Sequence, residues 1–333
     1  MPNLKPVSII PCNNGFGHIK RCCLIYDELS SLGLNVNIFG NSELIRSFLK
    51  SRGSQKKYNI QNIEGLPSGQ DYKKRGIRGF TNIFLKLENS LRDTLVISDN
   101  YYEPFQHGAK GFLLANFLWS DVEDESLSPE ILKNINNENC TLLTSIFAKS
   151  YLYNAKMINL FGKMHEQSQN RGYTLVCKGL GDWSGGFEEE LELFFKEEWK
   201  KTDDPPKVLF IDKNIPYQSY FSNYECKYLT NGITPQIIAG ANKILGRPSV
   251  GILTDALAYK VPFIPIYASN DHESAHNAQV LLKLYELNGI SRGDSKLIRK
   301  ALRNTNFDLN GQCQIAELVR RELLTKSGFN KLN

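Results

Sequence analysis

The chain has no long apolar run. Nowhere in its 333 residues is there a stretch of the roughly 18 to 20 uninterrupted apolar residues that a membrane-spanning helix needs. Its first six residues, MPNLKP, also lack the basic start and the apolar segment of a secretory signal peptide. We therefore expect a cytoplasmic protein.

The cysteines do not form a metal-binding pattern. All seven lie outside Cys-x-x-Cys pairs and Cys/His zinc spacings, and their odd number in a chain without a secretion signal favours reduced thiols. We expect no metal ion and no cofactor. With 40 basic and 35 acidic residues, the net charge of +5 is too small to predict a nucleic-acid partner. Internal repeats and low-complexity tracts are also absent from the sequence.

What the chain does have is short apolar runs that alternate with longer helical patterns. Strands are predicted at residues 7–10, 36–39, 95–98, 111–114 and 140–143, with an amphipathic helix at 19–32 that stops at Gly33. This order of strand, helix and strand is typical of α/β domains with a doubly wound parallel sheet.

A polar stretch at residues 150–172 interrupts this pattern before strands restart at 173–177. We place a domain boundary there, which gives an N-terminal domain of residues 1–165 and a C-terminal domain of residues 166–333. The second half has predicted strands at 208–211, 243–245 and 262–266, and predicted helices at 187–200, 234–240, 251–259, 272–285 and 313–325.

The loop after the first predicted strand carries Gly15 and Gly17 just ahead of a helix. Glycine lets a backbone approach a ligand closely, and a helix N-terminus offers free N–H groups to an anion such as a diphosphate. A plain tight turn is the alternative. His18 follows, where a neutral imidazole can take a proton from a hydroxyl or from water; helix capping or phosphate contact is its alternative role.

Asp99 ends a predicted strand of the first domain. Its carboxylate can orient His18 or bind an acceptor hydroxyl, and it can equally cap a helix. In the second domain, a helix predicted to begin near Gly251 presents amides up to Thr254, with the Thr254 hydroxyl, to phosphate oxygens. Asp255 can accept hydrogen bonds from two ribose hydroxyls, or it can simply complement the helix dipole.

These motifs resemble those of glycosyltransferases of the GT-B architecture. Residues 245–263 and 115–119 resemble motifs of the glycosyltransferase-like domain at the front of plant L-arabinokinases. Residues 15–22 resemble the Gly-x-Gly-His-x-x-Arg-Cys loop that these domains share with the UDP-sugar hydrolase of pseudaminic-acid synthesis. More distantly, the chain is similar to the N-acetylglucosaminyltransferase of peptidoglycan lipid synthesis.

The resemblance implies a GT-B fold of two Rossmann-like, doubly wound domains facing across a cleft, with the acceptor side on the first and the nucleotide-sugar donor mainly on the second. It implies that His18 is the catalytic-loop histidine and Asp255 the ribose-binding carboxylate. The other donor contacts that it implies are Gly15, Gly17, Gly181, Gly246, Arg247, Ser249, Gly251, Leu253, Thr254, Glu273 and Asn277. The chain departs from the family in having Asp255 for glutamate, Ser249 for glycine and Val250 for tyrosine.

Two further segments carry hypotheses. Residues 179–186, which include Gly181, hold four glycines after a strand, as suits a backbone that approaches the donor phosphates; a flexible turn is the alternative. Residues 72–85 interleave cations with apolar side chains. Such a segment suits a peripheral contact with the inner membrane face or a lipid-diphosphate acceptor, and a solvated loop followed by a core helix is the alternative.

Together, the residues and the resemblance predict a metal-independent, hexosyltransferase-type glycosyltransferase. It would move a sugar from a nucleoside-diphosphate donor, a UDP-sugar, to a lipid-linked or glycan hydroxyl acceptor in the synthesis of cell-surface glycans or glycoconjugates. His18 is the expected general base and Asp99 the second catalytic residue. Two alternatives stay open: a nucleotide-sugar hydrolase in which His18 activates water, and a non-catalytic protein that binds sugar nucleotides.

Overall fold

The chain forms two compact units in a computed structural model that describes residues 4–75, 81–119, 131–132, 135, 139–152, 154–165, 171–179, 186–198, 208–230, 232–290 and 295–326. The first unit comprises Met1–Leu49, Gln55–Phe161 and Asn310–Asn333, and the second comprises Lys50–Ser54 and Gly162–Leu309. The division falls at residues 161 and 162, close to the expected boundary at 165.

The first unit is built on a parallel sheet with the strand order β3-β2-β1-β4-β5-β6-β7 in the described residues. Its strands are β1 (Val7–Ile10), β2 (Val36–Gly40), β3 (Ile60–Asn62), β4 (Leu95–Asp99), β5 (Lys110–Leu114), β6 (Cys140–Thr144) and β7 (Lys156–Met157). The helices between them are α1 (Phe16–Ser31), α2 (Ser42–Ser51), α3 (Gly69–Arg75), α4 (Thr81–Leu91) and α5 (Glu103–Gln106), and a short 3-10 helix spans Ser150–Leu152.

The first strand and helix show why the sequence folds this way. All four residues of β1 are buried, as the continuous apolar run of a central parallel strand requires. Helix α1 packs its apolar stripe, with Ile19, Cys22 and Leu29, against the sheet. It ends at Ser31, and Gly33, two residues later, has a φ of 75° that lets the chain turn toward β2.

The second unit is built on a parallel sheet with the order β10-β9-β8-β11-β12 in the described residues. Its strands are β8 (Tyr173–Cys177), β9 (Val208–Asp212), β10 (Glu225–Leu229), β11 (Ala241–Gly246) and β12 (Phe263–Pro265). Its helices are α6 (Phe187–Leu193), which continues as a π-helical turn (Phe194–Glu198), a 3-10 turn (Ser219–Phe221), α7 (Pro235–Gly240), α8 (Val250–Ala258), α9 (His272–Leu287) and α10 (Ser295–Asn304).

The last helix, α11 (Gly311–Lys326), packs with the first unit, whereas the expected second domain ran to residue 333. Its apolar face places Ile315, Val319 and Leu323 in the same core as α1 and β1. The backbone N–H of Gly311 donates to the Leu160 carbonyl at 3.0 Å, which fixes the start of the helix. An amphipathic helix has the same sequence pattern whether it packs on the first sheet or on the second, so the pattern alone does not predict which sheet α11 covers.

Each sheet has the feature that positions ligands in open α/β folds. In the first, β1 lies between β2 and β4, and in the second, β8 lies between β9 and β11, so the chain reverses its winding direction at these strands. Ligands of such folds bind at the carboxyl ends of the strands beside the reversal. Ligand-binding residues are therefore expected in the loops after β1 and β4 and in those after β8 and β11. Among the helices that the structure describes, none has the length and apolar character needed to cross a bilayer.

Candidate functional site

The first unit brings His18 and Asp99 into direct contact. His18 lies in the first turn of α1, and Asp99 is the last residue of β4, the strand beside β1. The His18 Nδ1 atom is 3.0 Å from Asp99 Oδ1. The Asp99 side chain is fully buried, whereas that of His18 keeps 17% of its surface exposed. A reactant can therefore reach the imidazole while its partner is shielded from water.

Arg21 completes this cluster. Its Nε donates to Asp99 Oδ2 at 2.6 Å, and its Nη2 donates to Asp99 Oδ1. The same Nη2 lies 3.0 Å from His18 Nδ1. Sequence reasoning gave Arg21 no role, although it is the arginine of the loop motif at residues 15–22 and its position three residues after His18 puts both side chains on one face of the helix. That spacing was the available signal.

Charge pairing controls ionisation in the cluster. Burial by itself raises the pKa of Asp99, but the Arg21 guanidinium and then His18 outweigh it and hold that pKa below its ordinary value. Burial acts on Arg21 in the opposite sense, and the Asp99 charge still raises the guanidinium pKa. Burial and the Asp99 charge raise the pKa of the Cys22 thiol, whose Sγ lies 3.7 Å from Asp99 Oδ2. Asp99 is thus a carboxylate and Cys22 a neutral thiol.

The residues that follow β4 are buried and polar. Asn100 has a φ of 61°, a left-handed conformation that is uncommon outside glycine. Its side chain is 1% exposed, and neither amide atom has a hydrogen-bond partner in the described part of the chain. Tyr101 accepts from the Asn13 backbone N–H at 2.8 Å and donates to the Pro67 carbonyl at 2.6 Å, so it holds the loop after β1 in place. Strained, unsatisfied groups of this kind gather at ligand-binding sites.

The start of α1 has the backbone that an anion cradle needs. Gly15 precedes the helix with a φ of 115°, a conformation that side chains rarely adopt. The first helical turn, which contains Gly17 and His18, carries no acidic residue. Its N–H groups have no acceptors within the helix. The predicted roles of Gly15 and Gly17 in phosphate binding stay predictions.

In the second unit, Arg247 is held by two carboxylates. Its Nε donates to Asp271 Oδ2 at 2.8 Å, and its Nη2 reaches Glu273 Oε2 at 3.3 Å. Asp271 also caps α9 by accepting from the Ser274 backbone N–H at 3.0 Å. Arg247 is 6% exposed, and the charges of Glu273 and Asp271 raise its pKa against the effect of burial. Its charge is therefore already neutralised without a phosphate.

The unpaired amides at the start of α8 lie slightly earlier than the sequence suggested. The backbone N–H of Leu253 donates to the Ser249 carbonyl at 3.0 Å, and the Thr254 hydroxyl donates to the Val250 carbonyl at 2.7 Å. Leu253 is fully buried and Thr254 is 3% exposed. The N–H groups without intrahelical acceptors are thus those of Val250, Gly251 and Ile252, because a helix leaves its first amides unpaired.

The remaining predicted donor residues have distinct surroundings. Asp255 Oδ2 accepts from Arg52 Nη2 at 3.2 Å, and Arg52 belongs to the short segment Lys50–Ser54 that groups with this unit. Asn277 is 3% exposed, and its Nδ2 has no partner among the described residues. A side chain on Gly246 would collide with the Cys177 sulfur and its carbonyl oxygen, so strand packing alone requires this glycine.

Gly181 lies outside the described residues, but the start of its loop is well defined. Asp212, at the end of β9, accepts from the backbone N–H of Gly179 at 3.0 Å and from that of Lys178 at 3.3 Å. Asn214 donates to the Gly179 carbonyl at 3.1 Å. Within the described ranges, no group of three His, Cys, Asp or Glu side chains is arranged to hold a metal ion.

The chain resembles solved glycosyltransferases over nearly its whole length. One is SnogD from Streptomyces nogalater, with a TM-score of 0.58 and 14% identity over 97% of this chain and 100% of the other. A second is MurG from Acinetobacter baumannii, with a TM-score of 0.54 and 13% identity over 95% and 99% of the two chains. A third is Arabidopsis thaliana UGT89C1 complexed with UDP, with a TM-score of 0.56 and 11% identity over 95% and 94%.

The chain has the GT-B glycosyltransferase fold. At these identities the likeness establishes the fold and not the reaction. No protein-family model matches the chain, and no curated protein matches its sequence. The expected α/β class with two Rossmann-like units is confirmed.

The predicted membrane-contact segment is only partly available as a surface. Residues 76–80 lie outside the described part of the chain. Tyr72 stacks on Trp119 with ring centroids 5.5 Å apart, and Phe84 is fully buried, so neither faces a membrane. Among the described residues of the segment, Leu85 is 49% exposed, so its apolar side chain could reach one.

Proposed function

We propose that this protein is a glycosyltransferase that moves a sugar from a nucleoside-diphosphate donor to a hydroxyl acceptor. The observation that carries the proposal is the contact of His18 Nδ1 with the buried Asp99 carboxylate, at the carboxyl edge of the first sheet. A carboxylate in this position orients an imidazole and stabilises the imidazolium that forms when the other ring nitrogen takes a proton.

In the proposed reaction, His18 Nε2 removes the proton from the acceptor hydroxyl. The acceptor oxygen forms a bond to the anomeric carbon of the sugar, and the bond between that carbon and the diphosphate oxygen breaks. The nucleoside diphosphate leaves with the electron pair. Asp99 offsets the positive charge that develops on His18.

The second unit supplies the donor contacts in this proposal. The amides of Val250, Gly251 and Ile252 would stabilise the departing diphosphate, because they combine unpaired N–H groups with the positive end of the α8 dipole. Amide donors can do this without a metal ion. Asp255 would bind the ribose hydroxyls, and this requires Arg52 to share or release its carboxylate. The Arabidopsis neighbour was solved with UDP, which supports a uridine nucleotide here.

We propose an acceptor that carries a hydroxyl on a lipid-linked or glycan substrate, as in the assembly of cell-surface glycans. Exposed Lys74 and half-exposed Leu85 support a weak peripheral membrane contact through residues 72–85. Co-sedimentation with vesicles that contain anionic lipid, repeated at high salt, tests this contact. Binding that high salt abolishes supports it, and no binding at low salt contradicts it.

The function is tested by incubating the protein with a panel of nucleotide sugars, with and without mixed hydroxyl acceptors, and following the products by NMR. Wild-type protein is expected to release nucleotide only when an acceptor is present. His18→Ala should reduce turnover by at least about 100-fold while donor binding is retained, because general-base catalysis contributes about 10² to 10⁴. His107→Ala, which removes a histidine remote from the cluster, is the matched control.

Three outcomes decide between the functions. Acceptor-dependent release that is lost in His18→Ala supports a transferase. Release of free sugar without any acceptor, lost in the same variant, shows a nucleotide-sugar hydrolase instead. Tight donor binding without turnover under both conditions shows a non-catalytic binding protein, and no binding to any nucleotide sugar contradicts the proposal as a whole.

A further inference from the structure

Arg21 has no role in the reaction as proposed above, yet it touches both members of the His18–Asp99 pair. A histidine and a carboxylate alone form a pair with one net negative charge, which favours protonation of the imidazole. Here the guanidinium lies as close to His18 Nδ1 as the carboxylate does, at 3.0 Å in each case. The cluster of His18, Asp99 and Arg21 is therefore neutral overall when the imidazole is neutral.

The hydrogen bonds in the cluster also favour one tautomer of neutral His18, the one with its proton on Nδ1. Asp99 has about four acceptor positions. Arg21 Nε and the Cys22 thiol face Oδ2, and Arg21 Nη2 and His18 Nδ1 face Oδ1. All four are filled by donors only if Nδ1 carries the imidazole proton. The other form would let Nδ1 accept from Arg21 Nη2, but it would set the Nδ1 lone pair against a carboxylate oxygen, also at 3.0 Å. The anionic carboxylate is the stronger hydrogen-bond partner, which favours the proton on Nδ1.

The neighbouring thiols do not disturb this balance. Within the described part of the chain, Cys12 and Cys22 are the thiols that interact with Asp99 and Arg21, and both are buried. Burial raises the pKa of each thiol, and the Asp99 charge raises it further. Both thiols therefore stay neutral at physiological pH, and Arg21 is the group that offsets Asp99.

We propose that Arg21 is a positioning residue that keeps resting His18 neutral, with its proton on Nδ1 and the Nε2 lone pair free to act as a base. The guanidinium opposes formation of the imidazolium until an acceptor proton is taken. The catalytic role of Arg21 rests on the proposed transfer reaction. The charge state of His18 itself can be measured without any substrate.

The test is an NMR titration of the imidazole nitrogens in protein labelled with ¹⁵N-histidine. With five histidines in the chain, the His18 signals are assigned by their loss in His18→Gln. Wild-type protein at high pH should show a protonated Nδ1 and an Nε2 with a free lone pair. In Arg21→Gln the His18 titration should move upward by at least about one pH unit, since a unit charge near 4 Å interacts by several kcal/mol even in a fairly polar surrounding.

Two further variants separate charge from structure. Arg21→Lys keeps the charge, so its His18 titration should stay within about half a pH unit of wild type. The double variant Arg21→Gln/Asp99→Asn removes both charges, so its His18 titration should also stay close to that of wild type. Because it leaves no buried carboxylate without a partner, it can be measured if Arg21→Gln alone fails to fold. An Arg21→Gln titration that does not move, or wild-type signals with the proton on Nε2, would overturn the proposal.

Activity gives an independent readout. If the chain is a transferase, the acid limb of its pH–rate profile should move upward in Arg21→Gln by the same amount as the NMR titration, and Arg21→Lys should restore it. If no transfer is found but the NMR shift occurs, the proposed function fails while the role of Arg21 holds. A normal rate profile in Arg21→Gln, in an active enzyme, contradicts that role.

Discussion

Glu103 makes the stability of the first unit depend on pH in a direction unusual for a carboxylate. It begins α5, is 2% exposed, and accepts from the Tyr72 hydroxyl at 2.7 Å. Burial raises the pKa of Glu103 from 4.5 to about 7, and the hydrogen bond from Tyr72 opposes only part of the rise. In the unfolded chain the same carboxyl titrates near its ordinary value.

The size of the effect follows from this difference. Because the folded pKa is the higher one, protonated Glu103 contributes stability that is fully present below pH 4.5 and is lost as pH rises through about 7. A pKa difference of one between the folded and unfolded states corresponds to about 1.4 kcal/mol, so the free energy of unfolding falls by about 3 kcal/mol. Glu103→Gln keeps an oxygen for Tyr72 but has nothing to ionise.

The assay is urea unfolding of wild type and Glu103→Gln from pH 4.5 to 8. The variant should gain about 3 kcal/mol relative to wild type across this range, with most of the gain between pH 5 and 7. Glu64→Gln, a substitution at an exposed site in the same unit, should track wild type at every pH. A difference between wild type and Glu103→Gln that stays constant with pH would refute the assignment of a raised pKa to this carboxyl.

Three other substitutions test the packing and charge arguments. Asp99→Asn should destabilise the first unit by about 3 to 5 kcal/mol in urea unfolding, since it leaves Arg21 without its buried partner. Asp93→Asn, at an exposed site, should change stability by less than about 0.5 kcal/mol. Equal effects of the two substitutions would contradict the role of the buried pair. Gly246→Ala should cost more than about 2 kcal/mol, because its Cβ would lie 2.6 Å from the Cys177 carbonyl oxygen, and a neutral result would mean that β8 and β11 can separate. Lys260→Gly should raise stability by about 0.5 to 1 kcal/mol in thermal unfolding, since Lys260, two residues after the end of α8, has a φ of 56° that glycine adopts at less cost. A loss of stability would show that the Lys260 hydrogen bond to the Arg303 carbonyl matters more.

The alternating strands and helices could be predicted because they bury continuous apolar runs. The missed strands are those whose residues do not show this pattern. Strand β10, with the sequence ECKYL, lies at a sheet edge and is mostly exposed, and β3 and β7 have only three and two residues. Edge strands carry charge to avoid pairing with other chains, so they look like loops in a sequence.

The candidate site was predictable where it depends on sheet topology and not where it depends on pairing over long distances. His18 and Asp99 meet because β1 and β4 are neighbours, Asp99 is the last residue of β4, and His18 lies in the helix that follows β1. By contrast, the pairing of Arg247 with Asp271, 24 residues later, has no local signature, and the expected contact of Arg247 with the donor stays a prediction. The Thr254 hydroxyl likewise turns back to its own helix, as threonine often does inside a helix.

The two units therefore use the same topological position for different chemistry. In the first, a buried carboxylate and a guanidinium pair with each other beside a partly exposed imidazole, which is the side chain of the cluster left to contact a reactant. In the second, Asp271 and Glu273 pair with Arg247 and offset its charge. The unpaired groups that could bind an anion are then the backbone amides at the start of α8. Backbone amides are held by the helix and need no rearrangement as charge develops on a leaving group. In the proposed transfer reaction, arginines that are already paired and a helix N-terminus with unpaired amides would stabilise a transient diphosphate without retaining it as a tightly bound product.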